Sequence, residues 1–158
     1  MEGKKVLVVG GGGRCHAIVD ALVRSPQVAQ VFCAPGNAGI GLTATKDTDV
    51  AALKEFALSH GIDLTVVGPE ASLAKGIVDE FRGAGLKVFG HTLSATRIES
   101  SKEFAKELMR RYDIPTASYR SFSSYAQALE YVRGGSFPTV LKYDGLAAGK
   151  GVVVAQTL

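Results

Sequence analysis

Residues 6–23, VLVVGGGGRCHAIVDALV, carry an apolar run into four consecutive glycines and out into helical spacing. Buried strand, glycine turn and amphipathic helix in that order begin a nucleotide-binding α/β domain, because glycines let a ligand approach the backbone at the helix N-terminus. A dinucleotide would require Gly-x-Gly-x-x-Gly and an acidic residue about 20 positions further on to hold a ribose. Gly10 and Gly12 fit, but the third position is Cys15, and the second apolar run ends in Cys33-Ala34-Pro35 with no Asp or Glu. The spacing therefore argues against a dinucleotide and leaves a simpler anion site. The helix N-terminus favours an anion by about 0.3–1 kcal/mol, and Arg14 adds a fork of donors suited to phosphate. A tight strand-to-helix turn with no ligand is the competing reading.

Beyond this turn, apolar periodicity predicts strands at 4–9, 30–33, 64–68 and 86–90. Between them it predicts a helix over about 14–24 with Ile18, Ala21 and Leu22 on its apolar stripe, and one capped by Asp49 carrying Leu53, Phe56 and Ala57. A third carries Leu73, Ile77, Val78 and Phe81. This βαβαβαβ order predicts a doubly wound parallel sheet. The pattern then changes. Ser100-x-x-Glu103 reads as a capping box for a helix with Phe104, Leu108 and Met109, and Pro115 marks its exit. Ser124-x-x-Gln127 caps a helix to about 132, and TVLKY, DGLAAGKG and VVVA read as strand, glycine loop and strand. The expected domains are 1–112, a Rossmann-like substrate domain, and 113–158, whose single hairpin is too little to stand alone and looks cut off inside a second domain.

As one domain, 158 residues would bury roughly 70% of the unfolded surface, so a core needs no disulfides or metals. The net charge of +3 is spread along the chain with no basic block, which makes nucleic acid a poor partner. No apolar segment approaches the ~20 residues needed to span a bilayer, and MEGKK leads into a strand without a signal peptide, so a cytoplasmic protein is expected. Cys15 and Cys33 are expected to be free thiols, the first activated by the helix N-terminus and Arg14 and so alkylated faster.

Ligands of doubly wound sheets bind outside the carboxyl ends of the strands, and those ends here carry GGGGR, PGNAG and GPE. Asn37 offers donors and an acceptor, and Glu70 can accept from sugar hydroxyls, although Pro, Gly and Asn are also ordinary turn residues. The second glycine loop fails as a P-loop: three residues separate Gly145 from Gly149, Gly151 stands where Ser or Thr would hold magnesium, and a strand follows. It suits a lid over nucleotide phosphates, which Lys150 and Lys142 could approach. A flexible turn and a solvated edge lysine are the competing readings.

Taken in order, GGGGRCHA, APGNAG, VVGPEASLAKGIVD, the run from FGHT to ESSKEFAKELM, IPTASY and LKYDGLAAGKGVVVA resemble the glycinamide ribonucleotide synthetases, an ATP-grasp ligase family, over essentially the whole chain. The resemblance implies a ligase of purine biosynthesis. ATP would phosphorylate the glycine carboxylate, and the amine of 5-phosphoribosylamine would attack the acyl phosphate to give glycinamide ribonucleotide, ADP and phosphate. It implies ATP contacts from Lys102, Lys142 and the loop Gly145, Leu146, Ala147, Ala148, Gly149, Lys150 and Gly151. It implies phosphoribosylamine contacts from Gly12, Gly13, Arg14, Gly36, Asn37, Gly39 and Glu70, with no nucleophilic side chain. Mg2+ is implied as well, with its ligands in the remainder of the ATP-grasp domain, as is a full-length protein that is a monomer or fused to other purine enzymes. This chain departs from the family in Cys15 where a glutamate is usual, placing a missing carboxylate at the substrate mouth, and in His91 where proline is usual. Its length implies that the 158 residues alone are inactive. A related ATP-grasp ligase, such as a biotin-dependent carboxylase subunit, and a non-catalytic module binding a sugar phosphate are the alternatives.

Overall fold

In the computed structural model, which describes residues 3–42 and 45–158, the apolar run is the central strand β1 (Lys4–Gly10). Val6 to Val9 are at most 2% exposed. Alternate side chains of a strand point to opposite faces, and here they feed two cores. Leu7 and Val9 pack with Leu53, Ala57, Ile77, Val78 and Phe81, while Val8 packs with Cys15, Val19 and Cys33. The first core is supplied by α2 (Val50–Ser59) and α4 (Ile77–Gly83), the second by α1 (Gly13–Val23). Helices thus cover both faces of the sheet.

β1 lies between β2 (Val28–Asn37) and β4 (Leu64–Val67), parallel to both, and β4 pairs in parallel with β5 (Val88–Phe89). A two-residue strand, β3 (Gly41–Leu42), pairs antiparallel with the end of β2, giving the order β3-β2-β1-β4-β5. The doubly wound parallel sheet is as expected, but three elements differ. β2 continues four residues past 33 through Ala34-Pro35-Gly36-Asn37, a stretch expected as loop, because these turn-type residues stay in register with β1 and then with β3. The helix expected to run through Leu73 to Phe81 is two, α3 (Glu70–Leu73) and α4, since Gly76 between them takes φ +77°. Ala21 is exposed, and the inward stripe of α1 is Cys15 and Val19 flanked by Ile18 and Leu22.

The chain divides into two compact units, Met1–Thr96 and Arg97–Leu158. α5 (Leu93–Ser100), which the sequence reading lacked, runs across this division. The second unit contains α6 (Lys102–Arg111), α7 (Tyr125–Arg133) and the antiparallel hairpin β6 (Thr139–Lys142) and β7 (Val152–Ala155). Ser100 closes α5, so the N-cap of α6 is Ser101, whose hydroxyl accepts from Phe104 N at 3.1 Å. Among the described residues no helix is long and apolar enough to cross a membrane.

Candidate functional sites

In the first unit, Gly12 is the N-cap of α1 and Gly13 its first residue, so the leading amides of the helix lie at the carboxyl end of β1. Side chains at the neighbouring glycines would collide with the fold. A Cβ at Gly11 would stand 2.4 Å from Gly36 O, one at Gly36 2.0 Å from Gly41 O, and one at Gly39 2.6 Å from His16 Cε1. Gly36 also sits at φ +73°. A Cβ at Gly12 or Gly13 would meet nothing within 4 Å. Packing explains the first three glycines; the last two leave the helix end bare, as an approaching anion requires.

Two hydrogen-bonded links draw the strand-end loops together. Arg14 Nη2 donates to Glu70 Oε1 at 2.8 Å, joining the first turns of α1 and α3. Asn37 Nδ2 donates to Gly11 O at 3.0 Å and Asn37 Oδ1 accepts from Gly39 N at 2.9 Å. These bonds use the Asn37 oxygen and one of its two amide N–H groups. Arg14, donating to Glu70, holds that carboxyl below the usual glutamate range, and Glu70's own backbone N–H at the start of α3 adds to this. The pair remains open to water, with Arg14 73% and Glu70 31% exposed in their side chains. Cys15 is not at the mouth. It is buried, its thiol donating toward Val9 O, and a Cβ at Gly10 or Gly68 would fall about 2.4 or 2.5 Å from its sulfur. Gly10, Gly11, His16 and Gly68 thus shape this site without having been singled out as contacts, because their parts show only where strands are adjacent.

In the second unit, β6 and β7 present the glycine loop. Tyr143 N donates to Gly151 O and Lys150 N to Ala147 O, both at 2.8 Å, so the loop has a closed turn at each level. Gly145 and Gly149 adopt φ +129° and +78°, and Ala148 +46°. Lys102, at the start of α6, donates from Nζ to Gly145 O at 2.9 Å, joining two predicted ATP contacts 43 residues apart. Lys142 is exposed at the end of β6 and Lys150 is exposed on the loop.

One residue of this cluster was not anticipated. Asp144 Oδ1 accepts from Lys102 N at 2.6 Å and Glu103 N at 3.2 Å, and Oδ2 from the Ser101 hydroxyl at 3.1 Å. Partial desolvation, which would raise its pKa, is outweighed by these backbone N–H groups, the Ser101 hydroxyl and the Lys102 charge, so Asp144 lies below the usual aspartate range. Open grooves of about 390 and 430 Å3 run along α6 and residues 113–119, and neither is lined by a predicted ATP contact.

Among the described residues no group of three or more His, Cys, Asp or Glu side chains could hold a metal ion, and Asp144, the carboxylate beside the glycine loop, is engaged by α6.

Residues 4–99 match the family model described as phosphoribosylglycinamide synthetase, N domain, and residues 100–158 that described as phosphoribosylglycinamide synthetase, ATP-grasp (A) domain. A phosphoribosylamine–glycine ligase of Escherichia coli O157:H7 is 52% identical over 160 aligned positions, covering 98% of this chain and 37% of that protein. A crystal structure of the phosphoribosylamine–glycine ligase from Thermotoga maritima superposes with a TM-score of 0.73 at 30% identity, covering 97% of this chain and 36% of that one. The Campylobacter jejuni biotin carboxylase, solved as a β,γ-ATP complex, also gives 0.73 over 99% of this chain and 39% of that one, but at 17% identity it attests the fold alone. The chain spans 37% of the length of the curated relatives it matches.

Proposed function

This chain belongs to the phosphoribosylglycinamide synthetase family, and we propose that it supplies the phosphoribosylamine-binding domain and the first part of the ATP-grasp domain of a ligase joining glycine to 5-phosphoribosylamine. In the proposed reaction the terminal phosphoryl group of ATP passes to the glycine carboxylate, an oxygen–phosphorus bond forming as the bond to the departing ADP oxygen breaks. The amine of phosphoribosylamine then attacks the acyl carbon; the C–N bond forms, phosphate leaves, and the amine gives up a proton. We place this step in purine biosynthesis and in the cytoplasm, and the two free cysteines accord with a reducing compartment.

The chain's own part is binding and positioning, which carry most of the catalysis in phosphoryl transfer. Arg14 and the bare end of α1 would hold the sugar phosphate, Glu70 would accept from ribose hydroxyls, and Asn37 with Gly36 and Gly39 would fix the loop beneath them. Lys102, Lys142 and the backbone of Gly145, Leu146, Ala147, Ala148, Gly149, Lys150 and Gly151 would offset the charge of the ATP phosphates.

The observation that carries the reading is the convergence of residues far apart in sequence: Lys102 reaches Gly145, as Arg14 reaches Glu70. In the ligase that carries this chain, Lys102→Ala and Lys142→Ala should each remove a charge-assisted contact of about 1.5–3 kcal/mol and weaken ATP roughly tenfold to a hundredfold by calorimetry. Unchanged ATP affinity in both variants would remove the ATP assignment.

A further inference from the structure

We propose that Asp144 is a positioning residue that clamps the glycine loop to the start of α6 and thereby fixes where the Lys102 ammonium stands before nucleotide arrives. The proposal rests on the reading of Lys102 and the loop as nucleotide contacts.

The first amides of an α-helix have no acceptor within it, and in α6 they are met from two sides. Lys102 N and Glu103 N donate to Asp144 Oδ1, while Phe104 N donates to the Ser101 hydroxyl, which itself donates to Asp144 Oδ2. Intrahelical bonding takes over at Ala105 N, which donates to Ser101 O. The positive end of α6 is therefore occupied by an internal carboxylate. An incoming phosphate would have to displace Asp144 to use those amides, which leaves the Lys102 side chain as the cation at this end of the helix. That ammonium is tethered by the Gly145 carbonyl at 2.9 Å. A neutral carbonyl takes one of its three N–H donors, and two remain.

Clamp and tether are consecutive residues, one peptide bond apart. Asp144 holds the helix, and Gly145, at φ +129°, turns its carbonyl to the lysine. A side chain rarely adopts that conformation, and a Cβ there would stand 3.0 Å from Tyr143 Cε1. The carboxylate, the glycine and the lysine thus work as one device, in which the backbone bond from Lys102 N to Asp144 sets the root of the side chain and Gly145 sets its tip. Lys106, one turn further along α6, is held separately by the Thr116 hydroxyl and Ala117 O.

Amide exchange and lysine acylation on the ligase that carries this chain, without nucleotide, test the device. Asp144→Ala should raise exchange of the Lys102 and Glu103 amides about tenfold to a hundredfold, the equivalent of a lost charge-assisted hydrogen bond. It should also change the acylation rate of Lys102 by an amine-reactive ester while that of Lys106 stays constant. Asp144→Asn, which keeps an acceptor oxygen for Lys102 N, should restore part of the amide protection and return Lys102 toward its native acylation rate. Native exchange at both amides in Asp144→Ala would overturn the clamp. Equal changes at Lys102 and Lys106 would mean that Asp144 merely holds α6 together, and would overturn the positioning role. If the clamp is present but the ligase carrying this chain loses no ATP affinity on Lys102→Ala, the device stands and the nucleotide reading of Lys102 falls.

Discussion

Cys15 stands in the first turn of α1 beside Arg14, where a helix end and a guanidinium draw a thiol toward thiolate. Its pKa is nonetheless raised, because desolvation outweighs the Gly12 backbone contact and the Arg14 charge, and Cys33 is pushed up to about 11 by burial and by the neighbouring Cys15. Both sulfurs are turned inward, Cys33 donating toward Gly10 O at 3.2 Å. The activated thiol expected from sequence position is therefore absent. In the native chain both cysteines should react with iodoacetamide more slowly than a free thiol at neutral pH. The rate should climb with pH only above the ordinary cysteine range, since the raised pKa keeps the protonated thiol dominant up to it. Peptide mapping after brief labelling at several pH values decides this, and rapid labelling of Cys15 at neutral pH would contradict it.

At the scale of elements, the start of α6 is the point on which sequence and structure part most instructively. A Ser followed three residues later by Glu is a sound cap signal at Ser100, but the neighbouring serine does the capping. Ser101→Ala should cost about 1 kcal/mol in urea unfolding followed by helix signal, whereas Ser100→Ala, at the last position of α5, should stay within roughly 0.5 kcal/mol. The reverse order would restore the Ser100 cap. β1, α1, α2 and both hairpin strands were legible because their apolar spacing matches one period. The split between α3 and α4 was not, since the helical spacing of Leu73, Ile77 and Phe81 runs on unbroken past Gly76, whose left-handed φ leaves no mark on that spacing. The extension of β2 through Pro35 and Gly36 was hidden because turn-type residues become strand when β1 and β3 flank them. In the sites, the glycine loops and lysines carry a compositional signal. Asp144 carries none, since its partners lie about 40 residues away.

Taken whole, the two units are unequal. Among the described residues, all the buried hydrophobic ones lie in the first unit, from Val6 to Phe81, whereas Val152, Val153 and Val154 of the second are 46–58% exposed. The first unit thus has its own core and both covering layers, and its strand-end loops are linked by Arg14–Glu70 and Asn37–Gly11. On that basis the sugar-phosphate half of the proposed function is open to test on the 158-residue chain itself. The most direct measurement is calorimetric titration with ribose 5-phosphate, a stable relative of the proposed substrate, beside ribose and the Arg14→Ala variant. The account predicts saturable binding of ribose 5-phosphate, none of ribose over the same range, and a loss of about tenfold to a hundredfold in Arg14→Ala as a charge-assisted phosphate contact disappears. Absence of ribose 5-phosphate binding, or equal affinity in the variant, would contradict it.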